Sequence, residues 1–197
     1  MQGKKSIIAI TGGIGAGKSV VSAILLNMGY NVYDCDSRAK ELMNTSALIK
    51  DRLTMRFGND IYLSDSSLDK EKLGSIIFNS HEDLNFVNGV VHPVVKDEML
   101  KWNEAQCQHP AFVETALLKE SGMERIVDEV WVVKAPLETR VQRVMKRNAI
   151  TREKVIERIN SQIGDFESDE LPVRTILNDG HSALLPQVAK LLSEWQK

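Results

Sequence analysis

Eight residues near the amino terminus carry the strongest chemical signal. Gly12-Gly13-Ile14-Gly15-Ala16-Gly17-Lys18-Ser19 spells G-x-x-x-x-G-K-[ST], the phosphate-binding loop, in which successive backbone N–H groups wrap a chain of phosphates. Side chains at the glycine positions would obstruct that approach. The following helix adds the positive end of its dipole. Lys18 supplies a positive charge to the β and γ phosphates, and the Ser19 hydroxyl is a ligand for the Mg²⁺ that bridges them. ATP contacts are therefore expected at Gly12 through Ser19 and at the adjoining Val20. A second signal follows in Tyr33-Asp34-Cys35-Asp36, two carboxylates at the end of an expected parallel strand, where open α/β sheets build their sites. Asp34 is the expected base for an acceptor hydroxyl. Asp36 is expected to cap a helix beginning near Ser37.

The elements that must position these groups follow from periodicity. Ser6 to Ile10 is a short apolar run ending in glycines, the pattern of a buried parallel strand, and Val20, Val21, Ile24 and Met28 repeat at helical spacing up to Gly29. Tyr30 to Tyr33 reads as the second strand, with others at Ala111 to Val113, Glu129 to Val133 and Val173 to Leu177. This alternation predicts an α/β fold with a central parallel sheet between helical layers. The stretch Ser37 to Gln106 is too long for a simple crossover and predicts a helical lobe: helices at Ser37 to Asn44, Ala47 to Phe57 and Leu68 to Phe78, another from Glu82 capped by Ser80, and a fresh start at Pro93. Pro136 and Thr151 are expected to open two further helices, to about Arg147 and Ile163.

Charge is unevenly spread. The 197 residues carry a net charge of −2, with no global basic field for nucleic acid, yet Lys134 to Arg158 holds eight basic residues against three acidic ones. Arg140, Arg143 and Arg147 fall on one helical face there, which could neutralise a transferring phosphoryl group. No apolar run reaches the length of a membrane span, and the apolar stretch behind Lys4 and Lys5 runs straight into the glycine loop, so a cytoplasmic chain with no membrane partner is expected. Cys35 and Cys107 lie too far apart for a redox or zinc pair. GTPase signatures are absent, both Asn-Lys-x-Asp and Asp-x-x-Gly. A small-molecule kinase is the expectation, its inserted lobes excluding water from the γ-phosphate. A kinase for a nucleoside, nucleotide or shikimate-like alcohol, and a regulatory module that only holds ATP, stay open on these residues alone.

The ordered set of the phosphate loop from Ile10, Asp34-Cys35-Asp36, Val91-His92-Pro93, Leu117-Leu118 with Glu120, and Ala135-Pro136 leading into Arg140 to Gln162 resembles the dephospho-CoA kinase family. The resemblance implies a P-loop kinase fold with a helical substrate-binding insertion and a small helical lid. It divides the chain into a core of 1–36, 107–136 and 164–197, a substrate lobe of 37–106 and a lid of 137–163. It implies transfer of a phosphoryl group from ATP, with Mg²⁺, to the ribose 3′-hydroxyl of dephospho-CoA, the last step of coenzyme A synthesis, by a monomer or weak homo-oligomer. Asp34, Lys18 and Arg147 become the expected catalytic residues, Arg143 an ATP contact, and Asp34, His92, Leu117 and Glu120 substrate contacts. Asn178-Asp179-Gly180 resembles the family's turn near the adenine. The chain departs from the family's pattern at Ala116, Lys119 and Asn148.

Overall fold

A computed structural model describes residues 5–108, 110–162 and 166–195. Lys4 and Ile163, named above, lie outside them. Two compact units form, one of residues 1–34 with 103–197 and one of residues 35–102.

The first unit is built on five parallel strands: β1 (Ile7–Thr11), β2 (Val32–Asp34), β3 (Ala111–Glu114), β4 (Glu129–Lys134) and β5 (Val173–Leu177), in the order β2-β3-β1-β4-β5. All five residues of β1 and all four of β3 are buried, as expected of strands covered on both faces. Helices α1 (Lys18–Asn27) and α8 (Leu184–Trp195) share a core with the sheet in which Val21, Leu25, Val188 and Leu192 meet Ile8, Ile10, Phe112 and Trp131. The Phe112 and Trp131 rings lie 5.1 Å apart, and the buried Trp131 indole donates to Glu129 at 2.8 Å. Helices α6 (Leu137–Asn148) and α7 (Arg152–Asn160) belong to this same unit. They form a small core of their own from Val141, Val144 and Val155, into which Ile14 of the glycine loop packs.

The second unit is helical: α2 (Cys35–Thr45), α3 (Ala47–Phe57), α4 (Lys70–Asn79) and most of α5 (His81–Glu104). Ser46, Asp69 and Ser80 side chains accept from the N–H three residues on, closing the amino ends of α3, α4 and α5. The Arg38 guanidinium grips both Glu98 carboxylate oxygens at 2.7 and 2.8 Å, tying α2 to α5 and raising the arginine's pKa further above its ordinary value. Two expectations are corrected here. Pro93 does not begin a helix, because α5 runs unbroken through it. The buried stripe Val87, Val91, Val95 and Met99 keeps its four-residue spacing across the proline, and that packing outweighs one missing hydrogen bond. Asp36 is not a cap either, since α2 already starts at Cys35 and places Asp36 in its first turn, where a carboxylate suits the helix dipole.

Candidate active site

The glycine loop leaves the carboxyl end of β1 at the middle of the sheet and ends where α1 begins. Its spelling is a matter of clearance. A Cβ on Gly12 would stand 2.3 Å from the Val133 carbonyl oxygen on β4, and Gly17 holds φ 98° with Asn178 Nδ2 only 2.1 Å from where its Cβ would be. Neither position admits a side chain.

The loop's carbonyls are all engaged. Gly12 O accepts from Lys18 Nζ at 3.0 Å, Gly13 O from Ala16 N at 3.1 Å, and Gly17 O from Val20 N at 3.1 Å. Ile14 O accepts from Arg140 Nε at 2.9 Å, Gly15 O from Arg143 Nη1 at 3.4 Å, and Ala16 O from Asn178 Nδ2 at 2.8 Å. With every carbonyl from 12 to 17 bonded, the N–H groups of Gly15 and Gly17 have no partner among the described residues. Half-buried backbone donors without an acceptor call for one from outside. A loop that presents such donors at a helix amino terminus is suited to an anion.

Charge and carboxylates surround this cradle. Arg143 Nη2 also donates to Asn178 Oδ1 at 3.1 Å, so one buried carboxamide holds both the loop and the arginine. Asp179, next along, accepts from the N–H groups of Ser182 and His181 at 2.7 and 2.9 Å, which holds its carboxyl below the ordinary value. On the other side of β1, Asp34 at the end of β2 is in register with Glu114 at the end of β3. Glu114 is buried and accepts from Ser22 of α1 at 2.6 Å. A cavity of about 350 Å³ lies on the loop. It is lined by Thr11, Gly12 and Gly13, by Ala116 and Leu118 to Glu120 from the segment after β3, by Arg140, Ile159 and Gln162 from the α6–α7 pair, and by Phe166 and Glu167.

The expected site residues fall into three groups. Gly12 to Ser19, Asp34, Glu120 and Arg143 gather at the carboxyl edge of the sheet, with Val20 exposed in the first turn of α1. Leu117 is 37% exposed and does not line the cavity, whereas its buried neighbour Leu118 does. Arg147 lies on α6 with the other arginines, but its Nε donates to the adjacent Asn148 at 3.0 Å, and it is Arg140 and Arg143 that reach the loop. His92 sits half-buried on α5 in the helical unit. Three residues support the site in ways that no motif reveals. Glu114 is legible only as a charge ending an apolar strand. Gln162, whose Oε1 accepts from Ile14 N at 2.7 Å across 148 residues, and the Asn178 carboxamide leave no local signal of a loop-holding role.

A parallel sheet of order 2-3-1-4-5, a glycine loop with open N–H groups and carboxylates at the same edge define a phosphate-loop kinase. The family model for dephospho-CoA kinase matches residues 6–183. A dephospho-CoA kinase of Bacteroides fragilis is 38% identical over 187 residues, 94% of this chain and 91% of the relative. Among solved structures, a Thermus thermophilus protein superposes with TM-score 0.80 at 31% identity, covering 98% of this chain and 96% of that one. A dephospho-CoA kinase from Campylobacter jejuni shares the fold at TM-score 0.66 and 24% identity, with 97% of both chains covered. The chain belongs to the dephospho-CoA kinase family.

Proposed function

We propose that this chain transfers the γ-phosphoryl group of ATP to the ribose 3′-hydroxyl of dephospho-CoA, giving coenzyme A and ADP. The observation that carries phosphoryl transfer is the loop of engaged carbonyls with open Gly15 and Gly17 N–H groups, at the same sheet edge as Asp34. Family membership over nearly the whole chain supports the acceptor.

In this reading the loop N–H groups and Lys18 hold the β and γ phosphates, and charge that builds on the equatorial oxygens meets fixed donors. Asp34 accepts the proton of the 3′-hydroxyl as its oxygen bonds to the γ phosphorus. The bond from that phosphorus to the β–γ bridging oxygen breaks, and ADP departs with the electron pair. Arg140 and Arg143, already on the loop, are the arginines of α6 that join Lys18 at the transfer. Arg147 joins them once it releases Asn148. His92, Leu117 and Glu120 serve the acceptor.

Mg²⁺ suits the exposed Ser19 hydroxyl, an oxygen donor in the first turn of α1. Ser19 would hold it, and it would neutralise phosphate charge during the transfer. Helices α2 to α5 form the acceptor lobe and α6 with α7 the lid. Cys35 and Cys107 are not joined in a disulfide, which fits a reducing cytoplasm, and the chain acts as a monomer or weak homo-oligomer.

The test is ADP release from Mg·ATP with dephospho-CoA, AMP, uridine and shikimate as separate acceptors, the products weighed by mass spectrometry. Turnover with dephospho-CoA alone, yielding coenzyme A, is expected. Turnover on another acceptor instead would overturn the substrate, and ATP binding without acceptor-dependent ADP release would leave a regulatory module.

A further inference from the structure

The cavity on the loop has two flanks of different origin. One comes from α6 and α7 with Arg140, Ile159 and Gln162, and the other from the segment that follows β3, with Leu118, Lys119 and Glu120. Strand β3 lies between β1 and β2, so this second flank is on the side of the sheet that carries Asp34, away from β5 and the Asn178 turn.

The cations lining the cavity are differently committed. Arg140 spends its Nε on the Ile14 carbonyl and packs its guanidinium against Gly13, so it belongs to the loop. The Lys119 carbonyl accepts from Gly122 N at 3.1 Å, but its ammonium has no hydrogen bond or ion pair among the described residues, although Glu120 and Glu167 line the same cavity. Its ammonium is a mobile point charge on a long stem, left available to a ligand. The lining around it mixes Ala116, Leu118, Ile159 and Phe166, apolar surface for an uncharged portion of the same ligand.

We propose that Lys119 is a specificity-determining residue that binds the diphosphate of the acceptor. The inference rests on the acceptor named above, whose one anionic group at neutral pH is the diphosphate between its adenosine and pantetheine halves. Donor phosphates are served by Lys18, Arg140 and Arg143 from the loop and from α6. Lys119 approaches from the acceptor's flank and supplies the charge that distinguishes a diphosphate-bearing acceptor from a neutral alcohol.

The experiment is steady-state kinetics of the full chain and of Lys119→Met and Lys119→Arg, with dephospho-CoA and ATP varied in turn, at low and at raised NaCl. Lys119→Met should raise the KM for dephospho-CoA about tenfold, the scale of one partly exposed charge contact, and leave the KM for ATP within about twofold. Lys119→Arg should stay within about threefold of the parent, and the gap between parent and Met variant should narrow as salt screens the contact. An unchanged KM for dephospho-CoA, an equal rise for ATP, or an arginine variant as impaired as the methionine one overturns the assignment. If the unaltered chain binds ATP yet leaves dephospho-CoA untouched, the functional reading itself has failed, which this first arm shows before any variant is compared.

Discussion

Lys18 sits on the loop as the one side chain its spelling reserves for charge, with Nζ on the Gly12 carbonyl. Lys18→Ala should lower kcat by about three orders of magnitude or more, as loss of a preorganised charge at a phosphoryl group does, while circular dichroism stays unchanged. Asp34→Asn separates two roles. A base predicts a fall in kcat of about a hundredfold or more with ATP affinity nearly kept, whereas equal losses in both would make Asp34 a nucleotide or metal ligand. The arginines make a sharper contrast. Arg143, bonded to Gly15, Ala16 and Asn178, should when changed to alanine raise the KM for ATP, whereas Arg147→Ala should spare ATP binding and show its effect in kcat alone.

Loop, strand and helix act on one another through Asn178, which directly follows β5 and is tied by its own N–H to the Lys134 carbonyl at 2.8 Å. Asn178→Asp keeps the acceptor for Arg143 but loses the donor to Ala16, and Asn178→Ala loses both. The aspartate should therefore weaken ATP binding through the loop alone, and the alanine should also lower stability, by about 1–3 kcal/mol for buried polar groups left without partners. Thermal melts with and without ATP separate these effects. The adjoining turn depends on pH. Asp179 has a lowered pKa, so its contribution is complete above the ordinary carboxylate value and is lost as pH falls through the lowered one. Amide exchange at His181 and Ser182 should quicken there in acid, with strand amides of β1 unaffected.

At the scale of the molecule, ligand binding and folding are linked through the unit that carries the sheet. Saturating Mg·ATP at about a hundred times its Kd should add roughly 2.7 kcal/mol to that unit's stability. The same addition should leave the melting of Lys18→Ala nearly unmoved. Trp131 is fully buried in the sheet's core, and Trp131→Ala should cost about 3–5 kcal/mol with no change in which acceptor is used. Pro93→Ala should stabilise α5, since alanine restores the missing N–H in mid-helix. A concurrent rise in the KM for dephospho-CoA would connect that segment with the acceptor.

What the sequence determined by itself is what local chemistry dictates. The loop needs glycine where backbone crowds it, so the turn from Gly12 to Gly17 and the helix that follows are legible without a structure. The five strands are each placed to within two residues, and Val173–Leu177 matches to the residue. Asp34 follows from its place at a strand end. Pro93 was misread because a proline's local preference points to a helix start, while the buried stripe of α5, set by packing at a distance, carries the helix through. The outer support of the loop was invisible for a related reason. Gln162 reaches Ile14, Asn178 reaches Ala16 and Glu114 meets Ser22 across 148, 162 and 92 residues, contacts that exist only once strand order has brought those segments to one edge. Spacing puts Arg140, Arg143 and Arg147 on one helical face and does not say which of them touch the loop. The way α6 packs decides that Arg140 and Arg143 do, since Ile14 of the loop enters the small core of α6 and α7.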